Sequence, residues 1–194
     1  MSKTLRTLLC VLLLSSCGVS YNSAPRNMDN ACSILSQRPG FYSAFQSTKK
    51  KWGVPVHVQM ATIHQESKFI GNAKTPMRYF LGIIPRGRQS SAYGYAQALD
   101  GTWNDYRKAT GRFGARRDNI RDATDFMGWY MNASREKLGL SLSDTRNQYL
   151  AYHEGQTGFS RGTHRRKAWL MDVSKKVESR GYMYKRQLES CGKS

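Results

Sequence analysis

The stretch ATIHQESKF, Ala61 to Phe69, decides the fold because it places a carboxylate on an apolar helical pattern. Val56, Met60 and Ile63 are spaced four and three residues apart, which is the period of one face of a helix. The same spacing leads to Glu66, which would project along that face from the end of the helix. A carboxyl group there loses hydration and holds its proton more tightly, as a general acid requires. The alternative is a frayed helix end with Glu66 in solvent, where most glutamates lie.

The rest of the chain reads as helices and loops, with no alternating strand run. Helical spacing recurs in RRDNIRDATDFMGWYMNASREKLG, in DTRNQYLAYHEG and in the basic segment from His164 to Leu188. Residues 72–91 carry two prolines, two glycines and three arginines, and they read as a long loop with an apolar middle. A chain of 194 residues allows one ordinary domain. We therefore predict a single mainly α domain over residues 32–194.

The first residues have the pattern of an export signal. Lys3 and Arg6 precede an apolar run from Leu8 to Leu14. A membrane-spanning helix needs roughly 20 apolar residues, so this run is too short to be one. It is typical of a secretory signal.

The end of this signal resembles the lipobox of bacterial lipoproteins, in the residues Leu14-Ser15-Ser16-Cys17. The resemblance implies that residues 1–16 are removed and that Cys17 carries lipid. A plain signal peptide cut nearby is the alternative. Gly18 after the cysteine resembles the pattern of lipoproteins sorted to the outer membrane. The small, polar residues 17–31 would then form a flexible tether.

Export makes the remaining cysteines informative. Cys10 would be lost with the signal, which leaves Cys32 and Cys191 near the two ends of the domain. An exported compartment is oxidising, so we predict a Cys32–Cys191 disulfide. Two free thiols are the alternative.

The chain is strongly basic, with 31 Lys and Arg against 13 Asp and Glu and a net charge of +18. Losing Lys3 and Arg6 with the signal lowers this by two, to +16. Such a charge implies a polyanionic partner. An exported protein rarely meets nucleic acid, so anionic cell-wall polymer or an anionic membrane surface fits better. Solubility or a general compositional bias would also explain the charge.

Three short blocks resemble those of the lytic transglycosylases of the soluble-lytic, goose-lysozyme-like type. In that family the blocks read E-S-x-F, G-L-M-Q and A-Y-N-x-G. Here they are Glu66-Ser67-Lys68-Phe69, Gly94-Tyr95-Ala96-Gln97 and Ala151-Tyr152-His153-Glu154-Gly155. Each block alone is a weak signal. Three in order, across most of the chain after the predicted signal, are specific.

The resemblance implies a mainly α, lysozyme-like fold and a monomer that binds peptidoglycan glycan strands in the periplasm. The family cleaves the β-1,4 bond between N-acetylmuramic acid and N-acetylglucosamine and closes a 1,6-anhydro ring, with no cofactor. Glu66 would be the single catalytic acid and base, oriented by Tyr152. The other residues that would orient Glu66 or bind substrate are Ser67, Gly94, Tyr95, Gln97 and Glu154.

The chain departs from the family pattern in two places. Glu66 and Gln97 are separated by 30 residues, more than is usual, and the extra length is Pro76–Ser91. This loop would cap the groove and bind stem-peptide carboxylates, or it would be decoration. Glu154 adds a second carboxylate, either a hydrolytic base or a structural partner of nearby arginines. A lysozyme-type hydrolase and a non-catalytic wall-binding lipoprotein therefore remain alternatives.

The sequence contains no motif for a metal site or a phosphate-binding loop. HEGQT, from His153 to Thr157, lacks the second histidine of a zinc-protease motif. The four histidines have no ligand spacing, and no glycine-rich phosphate loop is present. The sequence therefore predicts neither a metal nor a cofactor.

Overall fold

The computed structural model describes residues 21–193, and within that range most residues lie in seven α-helices. The prediction of a mainly α domain is confirmed. The predicted signal, Cys10 and Cys17 lie outside the described residues. In chain order the elements are α1 (Ala31–Gln37), α2 (Phe41–Trp52), α3 (Val56–Ser67), β1 (Met77–Phe80), β2 (Ile84–Arg88), α4 (Asp100–Thr110), α5 (Ile120–Leu138), α6 (Thr145–Ser160), a 3₁₀ turn (Thr163–Arg166) and α7 (Ala168–Ser190).

Helix α3 is the centre of the domain, and it packs against α2, α5, α6 and α7. The predicted stripe of Val56, Met60 and Ile63 is buried. The opposite faces are buried as well, so α3 is a core helix rather than a surface helix with one apolar face. The buried Gln59 amide nitrogen donates to the carbonyl oxygens of Phe45 and Val54, which ties α3 to α2 and to the segment that follows it. Surrounding helices therefore hold α3, and with it Glu66, in one position.

A buried carboxylate ties α5 to α2 and α4. The Tyr106 hydroxyl and the Trp52 indole nitrogen each donate to Asp125 over 2.7 Å. The side-chain nitrogens of Lys51 and Arg112 lie 2.9 and 3.2 Å from the Asp125 carboxylate oxygens. Burying a charge is favourable only with such partners, and here every partner comes from another element or loop.

Residues 72–91 contain a β-hairpin, not the strandless loop that the sequence suggested. Strands β1 and β2 pair antiparallel, with Tyr79 opposite Pro85 and Phe80 opposite Ile84. Aromatic and β-branched residues flank a tight turn, which favours strands over coil. Each of residues 76–91 is exposed, so the hairpin projects into solvent.

The described part of the expected tether, residues 21–31, is fixed against the domain. The Tyr21 ring packs edge-on against Phe41, with ring centres 5.7 Å apart. Arg180 of α7 pairs with Asp29 over 2.7 Å. The sequence predicted a flexible tether here. Instead, Tyr21 packs on Phe41 of α2 and Asp29 pairs with Arg180 of α7, so the described part of the segment lies against the helices.

The two ends of the described chain are also joined covalently. Cys32 of α1 and Cys191, directly after α7, form a disulfide. It links residues 159 positions apart. None of the helices in residues 21–193 is both long and apolar enough to cross a membrane.

Candidate active site

A pocket of about 410 Å³ opens where the end of α3 meets α5, α6 and the segment after the hairpin. Its lining brings together residues of all three sequence blocks. Glu66 comes from the first block, Gln97 from the second, and Tyr152, Glu154 and Gly155 from the third. The other lining residues are Thr75, Ala92, Ala98, Leu99, Thr102, Phe126, Tyr130 and His153.

Glu66 lies in the last turn of α3 and is only partly exposed. Burial of its carboxyl group raises the pKa of Glu66 to about 8, and the positive charge of Lys68 offsets this only in part. Within the described chain, no hydrogen bond or ion pair engages this carboxyl group. A carboxyl group that is desolvated and unpaired stays protonated at neutral pH. It is therefore able to donate a proton to a bound ligand.

Helix α3 stops abruptly beside Glu66. Lys68 and Phe69 both have positive φ angles, 53° and 62°, in the left-handed region that non-glycine residues rarely adopt. Phe69 is fully buried in this conformation, with its ring centre 6.4 Å from that of Phe41. Ser67 is also buried, and its hydroxyl donates to the Ile63 carbonyl, so it lies outside the pocket lining. Core packing thus holds a strained helix end that presents Glu66 to the pocket.

The second block forms a turn that positions Gln97. Gln97 has a φ of 47°, and its amide nitrogen donates to the carbonyl oxygens of Ala73 and Gly94 at 3.0 and 2.9 Å. These bonds fix the side chain, and its amide oxygen has no partner among the described residues. That oxygen is available to accept a hydrogen bond from a ligand hydroxyl or amide.

The other two candidate site residues of the second block, Gly94 and Tyr95, lie outside the pocket lining. A Cβ at Gly94 would lie 2.1 Å from the Arg117 carbonyl oxygen, so glycine is required there by close packing. Tyr95 is fully buried, and its hydroxyl accepts a hydrogen bond from the Tyr21 backbone nitrogen. Neither Gly94 nor Tyr95 therefore lines the pocket with Glu66. They shape the turn that carries Gln97.

Tyr152 of the third block lines the pocket, but its hydroxyl donates to the Ala96 carbonyl oxygen over 2.6 Å. No hydrogen bond joins it to Glu66 within the described residues, although both side chains line the pocket. Burial, with a further contribution from the Glu66 charge, raises the pKa of Tyr152 well above its usual value. Tyr152 thus connects α6 to the second block and stays neutral beside Glu66.

Glu154 is held in a cluster of donors. Its carboxylate accepts hydrogen bonds from Lys167 at 2.7 Å and Thr163 at 2.6 Å, and the His153 ring lies 3.2 Å away. Burial alone would raise the pKa of Glu154, but these partners outweigh it and lower the pKa to about 2. The structural interpretation predicted from the sequence fits this environment, with a lysine as the main partner rather than an arginine. A carboxylate with so low a pKa is a weak base.

Two contributors were missed by the sequence reasoning. Tyr130 of α5 lines the pocket with its ring 5.3 Å from that of Tyr152. Arg117 organises the second block, since its guanidinium donates to the carbonyl oxygens of Ser91 and Ala98. No local pattern marks either residue, because each acts on a segment distant in the chain.

Within residues 21–193, no group of three His, Cys, Asp or Glu side chains is placed to hold a metal ion. Among curated proteins, none matches the chain. A model of the family described as Transglycosylase SLT domain matches residues 5–191. This match covers nearly the whole sequence, and the mainly helical architecture with its pocket agrees with it. The chain belongs to the transglycosylase SLT domain family.

Proposed function

We propose that this protein is a peptidoglycan lytic transglycosylase in which Glu66 is the single catalytic acid and base. Family membership implies lytic-transglycosylase-type activity on peptidoglycan. The observation that carries the finer proposal is the unpaired, desolvated carboxyl group of Glu66 in the pocket, with its pKa raised to about 8. A protonated carboxyl group at neutral pH is what cleavage of a glycosidic bond needs first.

In the first step, protonated Glu66 gives its proton to the oxygen that links N-acetylmuramic acid to N-acetylglucosamine. The bond between this oxygen and the anomeric carbon of the muramoyl unit breaks, and the N-acetylglucosamine chain leaves with the proton. Positive charge develops on the muramoyl ring. The Glu66 carboxylate that remains lies in a desolvated site, where it stabilises that charge more strongly than it would in water.

In the second step, the Glu66 carboxylate takes the proton from the muramoyl 6-hydroxyl. The freed oxygen attacks the anomeric carbon, the 1,6-anhydro ring closes, and Glu66 returns to its protonated form. No water is consumed. Glycosidases that use two carboxylates need the second as nucleophile or base. Here the substrate supplies its own nucleophile, and holding it in place favours the reaction as an intramolecular process.

The other pocket residues would position the sugar. The free amide oxygen of Gln97 is placed to accept a hydrogen bond from a sugar hydroxyl or N-acetyl group. The rings of Tyr130 and Tyr152 supply an aromatic wall for the apolar face of a sugar. We propose that these contacts keep the glycosidic oxygen within reach of Glu66.

The two alternative functions find less support. A hydrolase would need a second carboxylate to activate water, and Glu154, with its pKa near 2, is bound by Lys167 and Thr163. A non-catalytic wall-binding protein gives no reason for a buried, unpaired carboxyl group, which costs stability in the fold.

The cellular placement is part of the same proposal. Residues 1–16 would be the export signal, and Cys17 would carry the lipid that anchors a monomeric enzyme to the outer membrane in the periplasm. Metabolic labelling with a radioactive fatty acid tests this, since a Cys17→Ser variant should lose the label.

Digestion of purified sacculi tests the reaction. The full chain, its Glu66→Gln variant and a matched Glu189→Gln variant at an exposed glutamate would each be incubated with sacculi. Mass spectrometry would read the released muropeptides. We expect anhydro-ended products from the wild type and from Glu189→Gln, and none from Glu66→Gln.

Each other outcome selects an alternative. Reducing-end products would replace the proposal with a lysozyme-type hydrolase. Products from Glu66→Gln at the wild-type rate would remove Glu66 from the mechanism. Binding of all three proteins to sacculi without release of products would favour the wall-binding function.

A further inference from the structure

The tip of the β1–β2 hairpin exposes an unusual run of large apolar side chains. Leu81 and Ile83 are each 78 % exposed, and Phe80 and Ile84 are about half exposed. Contiguous exposed apolar side chains are rare on soluble proteins, and they mark surfaces that bind something. The fold gains little from these residues, because each of them is largely in water.

The turn itself carries a residue that its conformation disfavours. Ile83 donates its backbone hydrogen to the Phe80 carbonyl oxygen over 3.2 Å, which closes a tight turn. Leu81 and Gly82 in this turn have φ angles of 51° and 74°. Such turns favour Asn, Asp or Gly at both central positions. A leucine here strains the backbone and places an aliphatic side chain at the most exposed point.

The hairpin is also basic. Residues 76–91 contain Arg78, Arg86 and Arg88 and no acidic residue. The Arg86 guanidinium lies 4.9 Å from the centre of the Phe80 ring, and Arg88 donates to the Thr75 carbonyl at the base of the hairpin. The positive charges therefore flank the apolar tip. This arrangement complements a surface that is apolar inside and negatively charged at its edge.

The observations argue against other occupants of the tip. Thr75 and Ala92, on either side of the hairpin, line the pocket with Glu66, but none of residues 76–91 does. Glycan strands are polar and would leave the aliphatic side chains of Leu81 and Ile83 without an apolar surface to pack against. A second copy docked hairpin to hairpin would bring a second set of arginines and no acidic residue against the first, and like charges repel.

We propose that the tip of this hairpin inserts into the interfacial region of an anionic phospholipid bilayer. The aliphatic side chains of Leu81, Ile83 and Ile84 enter the boundary between headgroups and acyl chains, and Arg78 and Arg86 pair with lipid phosphates. Apolar burial and attraction to anionic lipid act together in this mode of binding. The contact is independent of the proposed function and of any lipid on Cys17, and it would hold the mouth of the pocket close to the membrane.

Hydrogen–deuterium exchange of the full chain with vesicles tests the proposal. One vesicle type contains phosphatidylglycerol and phosphatidylethanolamine, and the other contains phosphatidylcholine alone. We expect amides of residues 76–91 to exchange more slowly with the anionic vesicles only. Leu81→Ser/Ile83→Ser should abolish this protection. Arg78→Gln/Arg86→Gln should raise the lipid concentration needed for half protection by roughly thirtyfold.

Matched controls separate the hairpin from general effects. Tyr182→Ser removes an exposed apolar side chain elsewhere, and Arg165→Gln/Arg166→Gln removes two exposed charges elsewhere; both should behave as the wild type. All variants share the same N-terminal residues, so attachment through these is common to all. Digestion of soluble glycan strands should be unchanged in the hairpin variants.

Several results would overturn the proposal. One is unchanged exchange at residues 76–91 while the chain sediments with the vesicles, and another is equal protection by both lipids. Protection by glycan strands instead of lipid, with loss of digestion in the hairpin variants, would make the hairpin a groove wall. Protection that rises with protein concentration in the absence of lipid would make it a contact between copies.

Discussion

At Glu66 the carboxyl group loses hydration and receives no hydrogen bond within the described chain in exchange. At Glu154, which lines the same pocket, three donors surround the carboxylate and lower its pKa to about 2. The surroundings therefore shift the pKa values of the two carboxyl groups in opposite directions. Such a difference in pKa distinguishes a proton donor from a permanently charged group.

The pH profile should follow the Glu66 carboxyl group. We expect kcat/KM for sacculus digestion to fall as the pH rises through about 8, because the acid form is lost. Lys68→Gln should move this fall to higher pH, since the positive charge of Lys68 favours the ionised form. Lys50→Gln, at an exposed lysine on α2, is the control. An unshifted profile in Lys68→Gln would contradict the electrostatic argument.

The same carboxyl group should make stability depend on pH. Its pKa is about 8 in the folded protein against 4.5 for an ordinary glutamate, so folding binds the proton more tightly. This contribution is present below about pH 4.5 and is lost as the pH rises towards 8. Glu66→Gln should therefore unfold at higher urea concentrations than the wild type at pH 8, by up to about 4 kcal/mol in the free energy of unfolding, and should differ little at pH 4.5. A difference in the free energy of unfolding that does not change with pH would contradict the raised pKa of Glu66.

At the scale of the element, the pocket depends on short irregular segments between rigid helices. Helix α6 is kinked at Gly155, whose φ is 75° and ψ is 154°, and the kink faces the pocket. The turn from Gly94 to Gln97 is held by the Arg117 backbone and side chain. Because these segments have no repeating hydrogen bonds, single glycines decide their course.

Gly94→Ala tests the second block. The added Cβ would meet the Arg117 carbonyl oxygen at 2.1 Å, so the turn must move and carry Gln97 with it. We expect a loss of about 2 kcal/mol or more in the free energy of unfolding and a large loss of activity. Gly101→Ala is the matched control, because a Cβ at that α4 position meets nothing within 4 Å. Urea unfolding and sacculus digestion of both variants give the comparison. Wild-type behaviour of Gly94→Ala would exclude the close-packing role.

At the scale of the whole molecule, the two ends of the domain are fastened together. Besides the Cys32–Cys191 bond, Gln187 of α7 accepts a hydrogen bond from the Ala31 backbone and donates to the Asp29 carbonyl. These contacts press the N-terminal segment onto α7. Since α7 packs against α3, the fastening supports the helix that carries Glu66.

The double variant Cys32→Ser/Cys191→Ser measures this fastening. Closing a loop over a separation of 159 residues stabilises by up to about 5 kcal/mol in the chain-entropy model. We expect urea unfolding at lower concentrations, and a similar shift for the wild type with reductant. Reductant should not change the double variant further. Activity at 25 °C should persist, because neither cysteine lines the pocket. An unchanged unfolding midpoint would mean that the remaining contacts hold the two ends of the domain together without the disulfide.

The sequence by itself determined the helical class, the buried stripe of α3 and the three blocks that meet at the pocket. These follow from local spacing and from short motifs, which each segment carries in its own residues. It did not reveal that Tyr95 turns into the core, that Lys167 holds Glu154, or that residues 77–88 pair as a hairpin. Those outcomes depend on partners that folding brings from distant segments. The burial that raises the pKa of Glu66 is of the same kind, because several helices together exclude the water around one carboxyl group.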